Sequence, residues 1–318
     1  HYAESSINSD LMKITMPFSF YQPYVPNASQ LPIEMFMGRK TQLNEIKSAN
    51  GCNIVCGGRQ LGKSALLNMA KNEIDHDENG SRAIFVSILN KNYAQAALAL
   101  SYELVSEGIL PDGSSTDNWE LLCMAIRKRL NDNSDRIPYL LIMMDEADEF
   151  IDSCKVVEYA PIAELEKIQQ IGPGRFKFVV AGLHNLVRLE REIAEQNNSV
   201  LARMKTLIIE PFNMLEAREL LEVPLHYLGM RFPDDKAYLV SNILASTNYF
   251  PGLIHTYCEK LIKAMQKNDY AGYNSQCDPP YLITESHIKK VLADPDFTDE
   301  IRNKLMITLK LGNDKLYY

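Results

Sequence analysis

The stretch Gly57-Gly58-Arg59-Gln60-Leu61-Gly62-Lys63-Ser64 satisfies G-x-x-x-x-G-K-[ST] at every constrained position. It stands between a short apolar run, residues 53–56, and a helical pattern over 63–74. Strand, glycine-rich turn, helix is the order a phosphate-binding loop requires, and these flanks argue against a chance glycine-rich turn. The glycines let the backbone curl with its N–H groups inward around a β-phosphate, and the helix start adds its positive dipole end. In that geometry Lys63 bridges the β- and γ-phosphates as a point charge, and the Ser64 hydroxyl ligates Mg²⁺. Residues 57–64, with the adjoining Ala65, are the expected nucleotide-binding residues.

Outward from the loop, apolar runs recur at 83–89, 139–144, 176–181 and 206–209. With 53–56 they are nearly continuous in Ile, Val, Leu, Met and Phe, as strands buried on both faces of a parallel sheet are. Helix signals lie between them, over 93–110, 118–130 and 161–171, the last stopped by Gly172-Pro173. This βαβα alternation predicts a wound α/β sheet. After Glu210 the strand signals cease. Asn213 with Glu216 three residues on reads as a capping box, opening a helix with the stripe Ala217, Leu220 and Leu221 that Pro224 bends or ends. Further helical patterns cover 235–245, 253–266, 285–293 and 300–311. The expected organisation is a lead-in or strap over 1–35, carrying Pro17, Pro23, Pro26 and Pro32, then a sheet core over 36–210 and an all-α lid over 211–298. An amphipathic helix over 299–318 then either opens a further domain, such as a winged helix, or packs back on the lid.

A second chemical signal is Tyr139-Leu140-Leu141-Ile142-Met143-Met144-Asp145-Glu146. Six apolar residues deliver a carboxylate to the carboxyl end of a buried strand, where open α/β sheets bind their ligands. Asp145 is expected to hold Mg²⁺ through a water and Glu146 to polarise the attacking water; the competing reading makes Glu146 a helix cap. Asp145-Glu146-Ala147-Asp148 spells the motif of the DEAD-box helicases, but that family's Ser-Ala-Thr and arginine-rich motifs and its second sheet domain are missing. A third candidate is the strand end Ala181-Gly182-Leu183-His184-Asn185. If this strand lies between the loop strand and the Asp145 strand, His184 or Asn185 senses the γ-phosphate or orients the water; equally, Asn185 caps the next helix. Arg188, Arg191 and Arg203 are arginine-finger candidates in cis or in a neighbouring subunit, weighed against solvated helix arginines.

Composition narrows the partners. Thirty-three Lys and Arg against 41 Asp and Glu leave −8 over 318 residues, which offers no broad basic coat to a nucleic acid. The longest apolar run, 137–144, is far too short to span a bilayer, and no charged-then-apolar leader opens the chain. Six cysteines are too sparse for a disulfide framework and fit reduced thiols in a cytoplasm. Cys52 with Cys56, and His255 with Cys258, read as core packing rather than zinc ligands. The first residue is His, so the chain reads as a processed product or a fragment of something longer.

Phe36-Met37-Gly38-Arg39-Lys40, the loop 57–64, Asp145-Glu146, the 181–185 strand end and Tyr249-Phe250-Pro251-Gly252 together resemble the STAND branch of the AAA+-like P-loop ATPases, over residues 35–265. The resemblance implies a P-loop NTPase parallel sheet in the order 5-1-4-3-2 with helices on both faces, and a helical lid. It also implies adenine held by Met37, Arg39 and the lid near Pro251, and a switch in which nucleotide state controls an attached effector. Pro251 departs from the family's Gly-x-Pro, and its bland reading is a helix start. No Asn-Lys-x-Asp strand end for guanine is present, which favours ATP and ADP. The leading expectation is thus slow, Mg²⁺-dependent ATP hydrolysis serving a switch, with effector or sensor domains in the full-length chain and a homo-oligomer left open. The alternatives are a DNA-engaging ATPase resembling the origin-recognition ATPases, and a non-hydrolysing nucleotide-binding scaffold.

Overall fold

The structure, a computed structural model, describes residues 22–26, 31–133, 135–182, 203–266 and 280–310, of which 304–310 are described by backbone alone. Five strands form the central sheet: β1 (Asn53–Gly57), β2 (Arg82–Ser87), β3 (Leu140–Asp145), β4 (Phe176–Gly182) and β5 (Lys205–Ile209). All pair in parallel in the order β2-β3-β4-β1-β5, the 5-1-4-3-2 order expected above. Strands β1, β3 and β4 are buried along their whole length, which is why they carry no polar alternation. The register sets Ser87 opposite Asp145 and Cys56 opposite Gly182, so the ends of four strands open on one edge.

Helices cover both faces. Successive strand residues point to opposite sides: Ile54, Ile142 and Phe178 enter a core with α3 (Tyr93–Ser106), α4 (Trp119–Asn131), α5 (Asp148–Lys155) and α6 (Ala160–Gln169). Val55, Met143 and Val179 enter another with α1 (Lys40–Lys47) and α2 (Lys63–Asp75). A further core unites α7 (Met214–Tyr227), α8 (Tyr238–Ser246), α9 (Pro251–Gln266), α10 (Glu285–Leu292) and the start of α11 (Pro295–Lys310). This C-terminal region is helical, with one addition: β6 (Met230–Arg231) and β7 (Tyr281–Leu282) form a two-residue parallel pair, too short to leave a period-2 pattern in the sequence.

Helix α7 opens with the expected capping box: the Asn213 side chain accepts from the Leu215 and Glu216 N–H groups, and Glu216 accepts from the Asn213 N–H. Of the two outcomes expected at Pro224, a bend or an end, the helix does not end there but runs on to Tyr227. Proline lacks the N–H that would serve the Leu220 carbonyl. The Tyr24 hydroxyl supplies the replacement, donating to Leu220 O at 3.2 Å and Leu221 O at 3.0 Å. Tyr24 is 1% exposed, so this part of the lead-in is a strap locked into the helical region. Helix α11 starts five residues earlier than its sequence pattern, and Phe297 packs edge-on against Tyr257, 5.4 Å between centroids. Cys52, Cys56, Cys123, Cys154 and Cys258 are buried and form no disulfide among the described residues. No described helix is long and apolar enough to cross a membrane.

Candidate functional site

A cavity of about 520 Å³ opens at the carboxyl ends of β1 to β4 and is closed from the far side by the start of α9. The loop forms its floor. Gly62 has φ +84°, a left-handed conformation that only glycine adopts without strain, and it ends the curl immediately before α2. Gly57 is required for another reason: a Cβ there would lie 2.7 Å from the Ile209 carbonyl oxygen of β5. Lys63 Nζ folds over the loop and donates to Gly57 O at 2.7 Å and Gly58 O at 2.8 Å. Burial lowers its pKa, and the nearby Asp145 and Asp148 carboxylates oppose that shift. Arg59 stands exposed at the rim, while Leu61 is buried.

Ser64 Oγ donates to Asp145 Oδ2 at 2.5 Å, across the gap between the loop helix and β3. The other carboxylate oxygen accepts the Glu146 N–H at 2.9 Å. Asp145 is 3% exposed, and this burial raises its pKa against the pull of Ser64, the Glu146 N–H and Lys63. Glu146 itself is exposed, with φ +56°, and Ser87 Oγ donates to its Oε2 at 3.0 Å. The residue that caps α5 is Ala147, without a side-chain hydrogen bond, so Glu146 turns toward β2 and the cavity rather than back onto a helix. The Ala147 N–H donates to Ala181 O at 2.9 Å, pinning the β3 turn to β4.

β4 lies between β1 and β3, the position on which a role for its end depended, and Gly182 lines the cavity. His184 and Asn185 themselves, with Arg188 and Arg191, lie outside the described residues. Arg203 is described, pairs with Glu166 at 3.6 Å, and is not among the cavity's lining residues.

Met37 and Arg39 line a small recess beside the main cavity, with Phe36, Phe212 and Leu220. Arg39 is buried, with φ +59°. Its Nη2 donates to Leu61 O at 3.2 Å and to Glu210 O, its guanidinium stands 4.7 Å over the Phe212 ring, and its N–H goes to Glu216 Oε1 at 2.9 Å. Burial lowers its pKa, opposed by Glu216 and Glu210. Arg39 therefore joins the loop to the helical region as well as walling the recess. Pro251 begins α9 and lines both spaces. Beside it the Gly252 N–H donates to Gln60 O at 3.1 Å, a direct seam between loop and helical region.

Sequence reasoning missed Ser87, Asp148 as a lining acid, and the wall formed by Val25, Leu31 and His255. Ser87 had a weak signal at most, since it is the one polar residue inside the apolar run 83–89, and only the structure shows that β2 ends there. The wall had none, because it is assembled from segments far apart in the chain.

No protein-family model matches this sequence, and no curated protein matches it. Solved structures do. A Walker-type ATPase of Pyrococcus abyssi superposes with a TM-score of 0.59 at 11% identity, over 89% of this chain and 78% of its own. The ORC2 protein of Aeropyrum pernix, solved in ADPNP–ADP complexes, gives 0.59 at 15% identity, over 86% and 70%. The CDC6P protein of Pyrobaculum aerophilum gives 0.52 at 14% identity, over 77% and 66%. At such identities the likeness speaks for the fold, and the fold of this chain is that of the AAA+ P-loop NTPases.

Proposed function

We propose that the chain binds ATP with Mg²⁺ and hydrolyses it slowly to ADP and phosphate, as a switch whose nucleotide state sets the position of a helical lid (211–298) on a sheet core (36–210). The observation that carries this reading is one cavity lined by the phosphate loop, by Asp145 and Glu146, and by Pro251 and Gly252 of the helical region.

The residues fit the implied groups. Ser64 and Asp145 are hard oxygen donors already in contact at 2.5 Å, the donor chemistry Mg²⁺ takes. Bound there, the ion neutralises charge on phosphate oxygens. Lys63 leaves the Gly57 and Gly58 carbonyls to meet the β- and γ-phosphates, and the N–H groups of residues 58–64 cradle them. Glu146, held by Ser87, is the base that accepts a proton from the attacking water. Met37, Arg39 and Pro251 wall a recess of about 30 Å³, which would have to widen to admit the base. Because loop and lid touch through Gly252 and Gln60, a γ-phosphate that reshapes the loop favours one lid position over another. A DNA-engaging role has less support, since the net charge is −8.

Lys63→Ala should abolish nucleotide binding. Glu146→Gln should bind ATP as the parent does while kcat falls on the order of 100-fold or more, the usual worth of a positioned base. Fluorescent-ATP titration and phosphate release measure the two effects. Normal turnover by either variant would sink the assignment.

A further inference from the structure

His255 stands where the two spaces of the site meet. It lies one turn into α9 from Pro251 and lines both the main cavity and the apolar recess, together with Leu31, Gly62 and Ala65. The phosphate machinery lines the cavity of about 520 Å³, and His255 borders that cavity on the side of the small recess, away from Asp145 and Glu146. A nucleoside whose phosphates lie on the loop would reach this wall.

The ring is 4% exposed, and its nitrogens are not equivalent. Nδ1 accepts the Val25 N–H at 3.3 Å, which leaves the ring proton on Nε2. Burial pushes the imidazole down to about 4, so the ring stays neutral and keeps that single donor. Tyr24 meets the ring edge-on, 5.6 Å between centroids, and is itself anchored to α7 through its hydroxyl. The strap therefore fixes both the orientation and the tautomer of His255. Among the described residues no acceptor takes the Nε2 proton.

We propose that His255 Nε2–H is a specificity-determining donor for the nucleoside, hydrogen-bonded to an adenine ring nitrogen or a ribose oxygen, with the Val25 N–H setting its tautomer. The proposal rests on the reading of the cavity as an ATP site. His255→Phe keeps a ring and removes the donor; His255→Gln keeps a neutral N–H. Affinities of the full chain for ATP and for inorganic tripolyphosphate, measured by calorimetry, separate a nucleoside contact from a structural role. His255→Phe should bind ATP about tenfold more weakly, the worth of one hydrogen bond, and tripolyphosphate as the parent does, which also shows that it is folded. His255→Gln should recover most of the loss. On the parent chain, one member of the set 1-, 3- and 7-deaza-ATP and 2′- and 3′-deoxy-ATP should bind about tenfold more weakly and so name the acceptor; this arm needs no variant. Equal loss of ATP and tripolyphosphate, unchanged ATP affinity, or uniform binding of all five analogues would overturn the proposal. A parent chain that does not bind ATP would instead overturn the reading beneath it.

Discussion

At Gly252 one methyl group decides how closely the loop and α9 can approach. A Cβ there would lie 2.8 Å from Gln60 Cβ, while the Gly252 N–H already donates to Gln60 O. Neither partner is the free end of a side chain, so Gly252→Ala must move backbone. Overpacking of this kind costs about 1–3 kcal/mol; we expect a melting midpoint lower by a few degrees and ATP affinity reduced about tenfold, read by calorimetry and titration. An alanine variant with parental affinity would show that the seam does not matter to the nucleotide. At this scale the sequence was informative where chemistry and local geometry coincide. Gly57, Gly62, Lys63, Ser64 and Asp145 are all where the motifs put them, although Gly57 also answers to β5, which no local pattern announces. His255 read as core packing and is indeed buried. Its place at a cavity wall depends on a contact with Val25, 230 positions away, and no spacing rule reaches that far.

Among the elements, α7 shows how a rule about one residue can be suspended by another. Tyr24→Phe removes the hydroxyl that serves Leu220 O and should cost about 1–2 kcal/mol, seen as a lower thermal midpoint. Pro224→Ala restores an N–H in the position that would serve the same carbonyl. The two changes should therefore be non-additive: Tyr24→Phe should cost clearly less in the Pro224→Ala background, and strict additivity would refute the link. The five strands were legible because burial writes nearly unbroken apolar runs, most fully in β1, β3 and β4, whereas their order followed only from the family resemblance. Helix α1 went unread, since it is eight residues long and buries only Leu43 and Ile46, and α5, equally short, entered only as the helix that a capping Glu146 would open. Helix α11 was read from 300, because Pro295 and Asp296 look like a loop although Phe297 is buried behind them.

For the whole molecule, the C-terminal helix is part of the helical core. Phe297 is 1% exposed against Tyr257, and Ile301 packs on the same cluster. Phe297→Ala should destabilise by about 3–5 kcal/mol, measured by denaturant unfolding. An unchanged midpoint would mean that the helix contributes nothing to this body. On the proposed reading, ATP at a hundred times Kd should stabilise the parent by about 2.7 kcal/mol through mass action and so raise its thermal midpoint.

The Tyr24 anchor also has a history in time. Its acceptors on α7 lie 196 and 197 positions downstream, and α9 is later still. At a synthesis rate of roughly 5–20 residues per second, the strap is made on the order of 10–50 s before its partners exist. The sheet and its loop can assemble on the ribosome during that interval, whereas the wall formed by Val25 and His255 is added last. On the proposed reading of the site, the phosphate loop would be in place before the His255 wall that is to contact the nucleoside.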